Sequence, residues 1–104
     1  MAGLPTDPVI AAFVAAINAG DRAAFDATLT QNATMSDDGT TRNLDEWVNK
    51  EIFTADGRMT VVSEEADGRT MIAKFTNSTW GEMRTRWHFT VADGKITRFD
   101  TGQA

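Results

Sequence analysis

Three glycine-containing dipeptides, Asp67-Gly68, Gly81-Glu82 and Asp93-Gly94, cut the second half of the chain into long runs rich in Thr, Val, Ile, Phe and Trp. Such dipeptides accept the positive φ values that tight hairpin turns demand. The spacing therefore predicts an antiparallel meander with strands over 58–66, 69–80, 83–92 and 95–101. A sheet of this kind must bury one face, and the only cover available is the segment before it.

That segment reads as helices. Asp7 is placed to accept the free N–H groups of a first turn, Pro8 fits the first helical position, and Val9, Ile10, Phe13, Val14 and Ile17 form one stripe that ends near Gly20. Asp21 offers a second N-cap, with Ala24, Phe25 and Leu29 at helical spacing. Ala33 to Asp37 reads as a short strand closed by Asp38-Gly39. Asn43 with Glu46 three residues on announces a third helix, with Leu44, Trp47, Val48 and Ile52 along one side. Helices followed by a sheet make an α+β domain, and the residues before Thr6 are expected to fray. The apolar stretch 9–19 has the flavour of a signal-peptide core, but no Lys or Arg precedes it. It is read as an amphipathic helix, too short to span a bilayer, and a cytoplasmic location is expected.

Length and charge narrow the function. A chain of 104 residues is expected to form one domain over 1–104, without room for a second. Fifteen acidic residues against 10 basic ones give a net charge of −5, a poor match for nucleic acid or an anionic membrane surface. A small molecule or another protein is the expected partner. With no Cys and one His, thiolate chemistry, disulfides and a metal centre are not expected, and no cofactor is called for. Tyr is also missing, so proton chemistry falls to carboxylates, the His or neutral donors such as Thr, Asn and Trp.

Strand parity then orients side chains. Met83, Thr85, Trp87, Phe89 and Val91 share the helix-covered face, whereas Arg84, Arg86, His88 and Thr90 share the outer one. The same parity puts Asp37 with the apolar Met35, pointing inward. A carboxylate facing an apolar interior is costly unless paired or hydrated, and a sheltered one is suited to general-base work. The competing reading is a polar turn, Asp37-Asp38-Gly39, bathed in water. A triad of His88 with Ser78 and an Asp is not expected, since parity sends His88 to the outer face and no nucleophile-elbow glycine pattern surrounds any Ser, and Arg84, Arg86 and Arg98 suit cross-strand pairing with Glu64, Glu82 or Asp100. No phosphate-cradling glycine loop occurs. Trp80 and Ile72 are expected on the outer face, where a monomer would expose them and a homodimer would cover them.

The runs Ala12 to Asp21 (AFVAAINAGD), Ala33 to Gly39 (ATMSDDG) and Arg86 to Ile96 (RWHFTVADGKI) resemble the nuclear transport factor 2-like superfamily, in its SnoaL-like and ketosteroid-isomerase-like branch. The resemblance spans nearly the whole chain. It implies a cone of three N-terminal helices packed on a curved antiparallel sheet, an apolar pocket at the open end, and dimers through the outer sheet face. It also implies a general base at Asp37, the third residue of Met35-Ser36-Asp37. The oxyanion donors of the ketosteroid isomerases fall where this chain has Phe13 and Trp87, so steroid isomerisation at a family-like rate is not expected. The nearest substitute donors are the Trp87 indole and the Thr85 hydroxyl. Phe13, Ile17, Met35, Trp47, Phe75, Thr85, Trp87 and Phe99 are expected to line a pocket for an apolar small molecule, or else to fill it. The functional expectations are thus a cofactor-independent isomerase, cyclase or hydrolase using Asp37, or a noncatalytic homodimeric module with a filled pocket.

Overall fold

Both N-terminal helices begin where a carboxylate can cap them. In the computed structural model, which describes residues 5–104, Asp7 accepts the Val9 amide at 3.0 Å and starts α1, Pro8–Ala19. Gly20 ends it in the left-handed region, at φ 66°. Asp21 accepts the Ala24 amide and starts α2, Arg22–Ala27. The stripe of α1 faces inward, with Ile10, Phe13, Val14 and Ile17 buried. Of the apolar positions assigned to α2 only Phe25 is buried; Ala24 is exposed, and Leu29 already belongs to the first strand. The expected frayed start lies outside the described residues for its first four positions. Pro5 is buried, and Thr6 is held by Glu64 through its backbone N–H and its hydroxyl.

Strand β1, Leu29–Asp37, turns through Asp38 (φ 50°) and Gly39 (φ 84°) into β2, Thr40–Arg42. This is a two-residue hairpin with both central residues at positive φ. Helix α3, Leu44–Val48, follows, with Asn43 Oδ1 accepting the Glu46 amide. It runs on through a π-helical turn, Asn49–Phe53. Then come β3 (Arg58–Glu64), β4 (Thr70–Asn77), β5 (Gly81–Ala92) and β6 (Lys95–Gln103). The helical segments and the mixed sheet together make an α+β fold. Only α1 and α2 precede the sheet; α3 comes after its first hairpin.

The meander β3–β6 is antiparallel as expected, but the sheet as a whole is not. Its order is β2-β1-β6-β5-β4-β3, and β1 runs parallel to β6. The reason is connectivity. β1 emerges from the helical layer and lies beside the last strand, so no hairpin dictates its direction; the intervening α3 and meander supply the long connection that a parallel pair requires. Asn18 ties α1 to the far edge of the sheet, donating to Met59 O at 2.8 Å and accepting the Met59 amide at 2.7 Å. Two polar groups of an edge strand are thereby satisfied.

The core lies between α1, α2 and the inner sheet face. Phe13 is fully buried among Phe25, Phe89, Phe99 and Trp87, with ring centroids 4.8, 5.1, 5.3 and 5.9 Å away. The closure between the π-helical turn and the sheet is equally tight. A Cβ on Gly57 would sit 3.0 Å from Ile52 Cα and 3.1 Å from Phe75 Cζ. Gly57→Ala is therefore expected to cost about 1–3 kcal/mol of stability through overpacking, measurable as a lower urea midpoint with an unchanged slope.

Candidate functional site

Side chains directly opposed across neighbouring strands share a face, and one row of this sheet carries the site. Asp37 pairs with Thr101, Thr101 with Trp87, and Trp87 with Met71. The parity argument for Asp37 therefore meets its structural counterpart: Asp37 is the last residue before the turn and still faces inward. It is half-buried, and its Oδ2 accepts the indole N–H of Trp47 at 3.0 Å. Oδ1 accepts from no described residue, and no buried polar side-chain atom among those residues lacks a partner. That oxygen consequently opens onto free space.

Asp37 borders a cavity of about 360 Å³ between α3, its π-helical extension and the end of the sheet. Trp47, Phe75, Thr85 and Trp87 line it together with Asp37. Phe13, Ile17, Met35 and Phe99 do not reach it. All four are completely buried in the helix-sheet core, where α1 and α2 press against the middle of the strands. The aromatic residues thus divide between the two roles: part of the set fills the core and part walls a hollow at one end of the sheet.

The two substitute oxyanion donors are already engaged. Trp87 Nε1 donates to Thr85 Oγ1 at 2.8 Å, and Thr85 Oγ1 donates to Ala73 O at 2.9 Å. This chain satisfies every polar atom of two buried side chains and leaves neither donor for a ligand. Thr85→Val would strand the Trp87 N–H in the buried wall, while the Ala73 carbonyl keeps its ladder bond to strand β5. The expected cost is about 1–3 kcal/mol, read as a loss in unfolding free energy without loss of the fold.

The remaining wall is mostly polar, and its charged members Arg42, Lys50 and Glu51 were not singled out as site residues from sequence. Arg42, Lys50, Glu51, Trp80 and Gln103 border the cavity, as does Asp38. Lys50 and Glu51 follow Trp47 by three and four residues along one helical face, a spacing that could have drawn attention to them. Trp80 was expected on the outer sheet face. Strand β4 ends at Asn77, however, and Trp80 sits in the turn beyond it, 62% exposed, with its indole N–H donating to Glu51 Oε2 at 3.0 Å. The Asn77 side chain fixes that turn by accepting the Trp80 amide at 2.7 Å and donating to Glu51 O at 2.9 Å. Removing Trp80 from the outer face leaves Ile72, half-buried, as the apolar residue expected there.

The outer face is otherwise a polar row. His88 Nδ1 lies 2.7 Å from Thr70 Oγ1, and Asp100 takes the Ser36 hydroxyl and the Arg98 guanidinium. Arg98 thus pairs with Asp100 two residues along the same strand, β6, and not across strands as expected. Arg86 finds Glu65, at 3.6 Å, where Glu64, Glu82 or Asp100 was expected; Glu64 is engaged by Thr6. Among the described residues no cluster of His, Asp and Glu could hold a metal ion, and no helix is long and apolar enough to cross a membrane.

The architecture has close structural counterparts. An NTF2-like protein of unknown function from Cytophaga hutchinsonii superposes with a TM-score of 0.77 at 15% identity, covering 92% of this chain and 87% of that one. The chain has the NTF2-like fold. A candidate polyketide cyclase from Sinorhizobium meliloti matches this NTF2-like domain with a TM-score of 0.73 at 21% identity, over 89% of this chain and 92% of that one. A candidate ketosteroid isomerase from Kribbella flavida matches with 0.72 at 17%, over 96% and 78%. No protein-family model matches the sequence, and no curated protein matches it. Likeness at these identities speaks for the fold, and the fold hosts many chemistries.

Proposed function

We propose that this NTF2-like domain binds a largely apolar small molecule in the cavity beside Asp37, and that Asp37 serves as general base for proton transfer at a carbon next to a carbonyl. One observation carries this reading. Asp37 offers an unpartnered oxygen to an aromatic-walled hollow while its other oxygen is anchored by Trp47. A base needs this combination, a fixed orientation and a free lone pair within reach of the substrate. The volume falls within the range of small-molecule sites. Several structural neighbours named as candidate cyclases or a candidate isomerase lend the reading general support.

The engaged Trp87 and Thr85 donors set an upper bound on the chemistry. Without a preorganised neutral donor for the developing oxyanion, a large share of the usual barrier reduction is missing. The substrates of choice are therefore ketones whose α-carbon is already acidic. The test is deuterium uptake into 2-tetralone in D₂O, followed by NMR. Wild-type protein should accelerate exchange above buffer and above an equal concentration of acetate. Exchange no faster than with acetate would overturn the base assignment, and a titration showing no binding of the ketone would overturn the site itself.

A further inference from the structure

We infer that the cavity's ligand is an amphipathic anion, a flat body of about two fused rings bearing a carboxylate, with the carboxylate held by Arg42 and Lys50. This rests on the cavity being a ligand site and adds the class of molecule.

The charged groups of the wall differ in whether they are already engaged. Asp37 accepts the Trp47 indole, Asp38 Oδ1 accepts the Gln103 amide at 3.1 Å, and Glu51 accepts the Trp80 indole. Arg42 and Lys50 border the same hollow, yet among the described residues their side chains make no hydrogen bond and no ion pair. They come from different elements. Arg42 lies opposite Met35 in the β1–β2 ladder and so on the face that Asp37 uses. Lys50 stands one helical turn after Trp47, on the segment that roofs the cavity. Two cations from separate elements that border one cavity, with their donors unused, suit a carboxylate, which both a guanidinium and an ammonium bind.

The rest of the wall defines the body of the ligand. Trp47, Phe75 and Trp87 present ring surfaces, and Met83 adds an adaptable thioether edge. A hollow of roughly 150 Å³ suffices for one benzene ring, so about 360 Å³ accommodates two fused rings and a substituent. The wall also carries the charges of Asp37, Asp38 and Glu51, so the preference for an anion rests on the unused donors of Arg42 and Lys50 and not on the wall's net charge. The overall charge of −5 also means that any preference for an anion must arise locally, since the long-range field opposes it.

Three probes of one shape separate the alternatives: 2-naphthoate, the neutral 2-acetylnaphthalene and the cationic 2-(aminomethyl)naphthalene. Affinities come from calorimetry, and the indole N–H resonances of Trp47 and Trp80 report whether the cavity is occupied. For the wild type, 2-naphthoate should bind about tenfold or more tightly than either other probe. In the Arg42→Gln/Lys50→Gln variant, where Asp37, Asp38 and Glu51 remain in the wall, 2-naphthoate should bind no more tightly than the ketone, whose affinity should stay close to that of the wild type. Both positions are exposed, so the variant should fold as the wild type does. Equal binding of ketone and naphthoate by the wild type, or tighter binding of the amine, would overturn the anion inference while leaving the cavity a ligand site. A preference for naphthoate that survives in the double variant would overturn the assignment to Arg42 and Lys50. Failure of all three probes to shift either indole would overturn the inference and the ligand-site reading together.

Discussion

Replacing Phe13 by Ala is expected to lower the unfolding free energy by about 3–5 kcal/mol, the usual range for a fully buried Phe. Phe13 has no solvent exposure, and its ring meets four others from α2, β5 and β6. Removing it leaves a hole at the point where the helical layer is joined to the sheet. The surrounding rings are themselves buried and held by neighbours, so they can collapse into the space only in part. Domains of this kind are stabilised by about 5–15 kcal/mol in total, so the variant should sit near the edge of folding. Urea unfolding followed by Trp fluorescence would measure the loss. A loss below about 1 kcal/mol would mean that the core relaxes around the vacancy, and that Phe13 is not the joint described above.

The same residue marks how far the sequence alone could be taken. Its place on an apolar helical stripe follows from spacing, and so do the caps at Asp7, Asp21 and Asn43, because each rests on contacts within a few residues. The turns at Asp38-Gly39 and Asp93-Gly94 were legible for the same reason; all four residues adopt positive φ. Parity was enough to turn Asp37 inward, since an alternating strand fixes a face regardless of what lies opposite. What parity could not reveal is the partner strand. The parallel pairing of β1 with β6 joins residues some sixty positions apart, and no local signal encodes it. Strand β2, Thr-Thr-Arg, is exposed throughout and carries no apolar pattern to announce it. The polar stretch Thr30-Gln31-Asn32 likewise hid the first half of β1.

The division of aromatic residues between core and cavity was also beyond sequence. Phe99 and Trp87 both lie on the inner sheet face, but Phe99 is two residues nearer the start of β6 than Thr101, the residue paired with Trp87. That step along the strand carries it under α1 and α2, whereas Trp87 reaches the hollow. Arg42 and Lys50 looked like ordinary surface residues and Trp80 like part of an outer-face contact, and all three are exposed. Their meaning comes from position at the same end of the sheet as Asp37, a property of the assembled fold. The engagement of Trp87 with Thr85 is similar in kind: two residues at i and i+2 share a face, but which hydrogen bonds they choose depends on Ala73 across the strand.

Asp37→Asn should abolish most of the α-proton exchange, by about 10²-fold or more relative to wild type, the usual contribution of a positioned general base. The substitution is a demanding test because it changes so little else. The amide oxygen of Asn can still accept the Trp47 indole N–H, the side-chain shape is retained, and the turn at Asp38-Gly39 is untouched. Ketone binding should therefore persist while turnover falls, a loss in kcat without a matching rise in KM. Trp47→Phe offers the complementary measurement. It keeps the carboxylate and removes the donor that fixes Oδ2, so the base survives with its orientation relaxed, and the expected loss is smaller than for Asp37→Asn. If Asp37→Asn exchanged deuterium as fast as wild type, the carboxylate would be a structural acceptor for Trp47 and nothing more. If Trp47→Phe proved the more damaging of the two, the indole would have to act on the substrate directly, and the roles of the two groups would need to be exchanged.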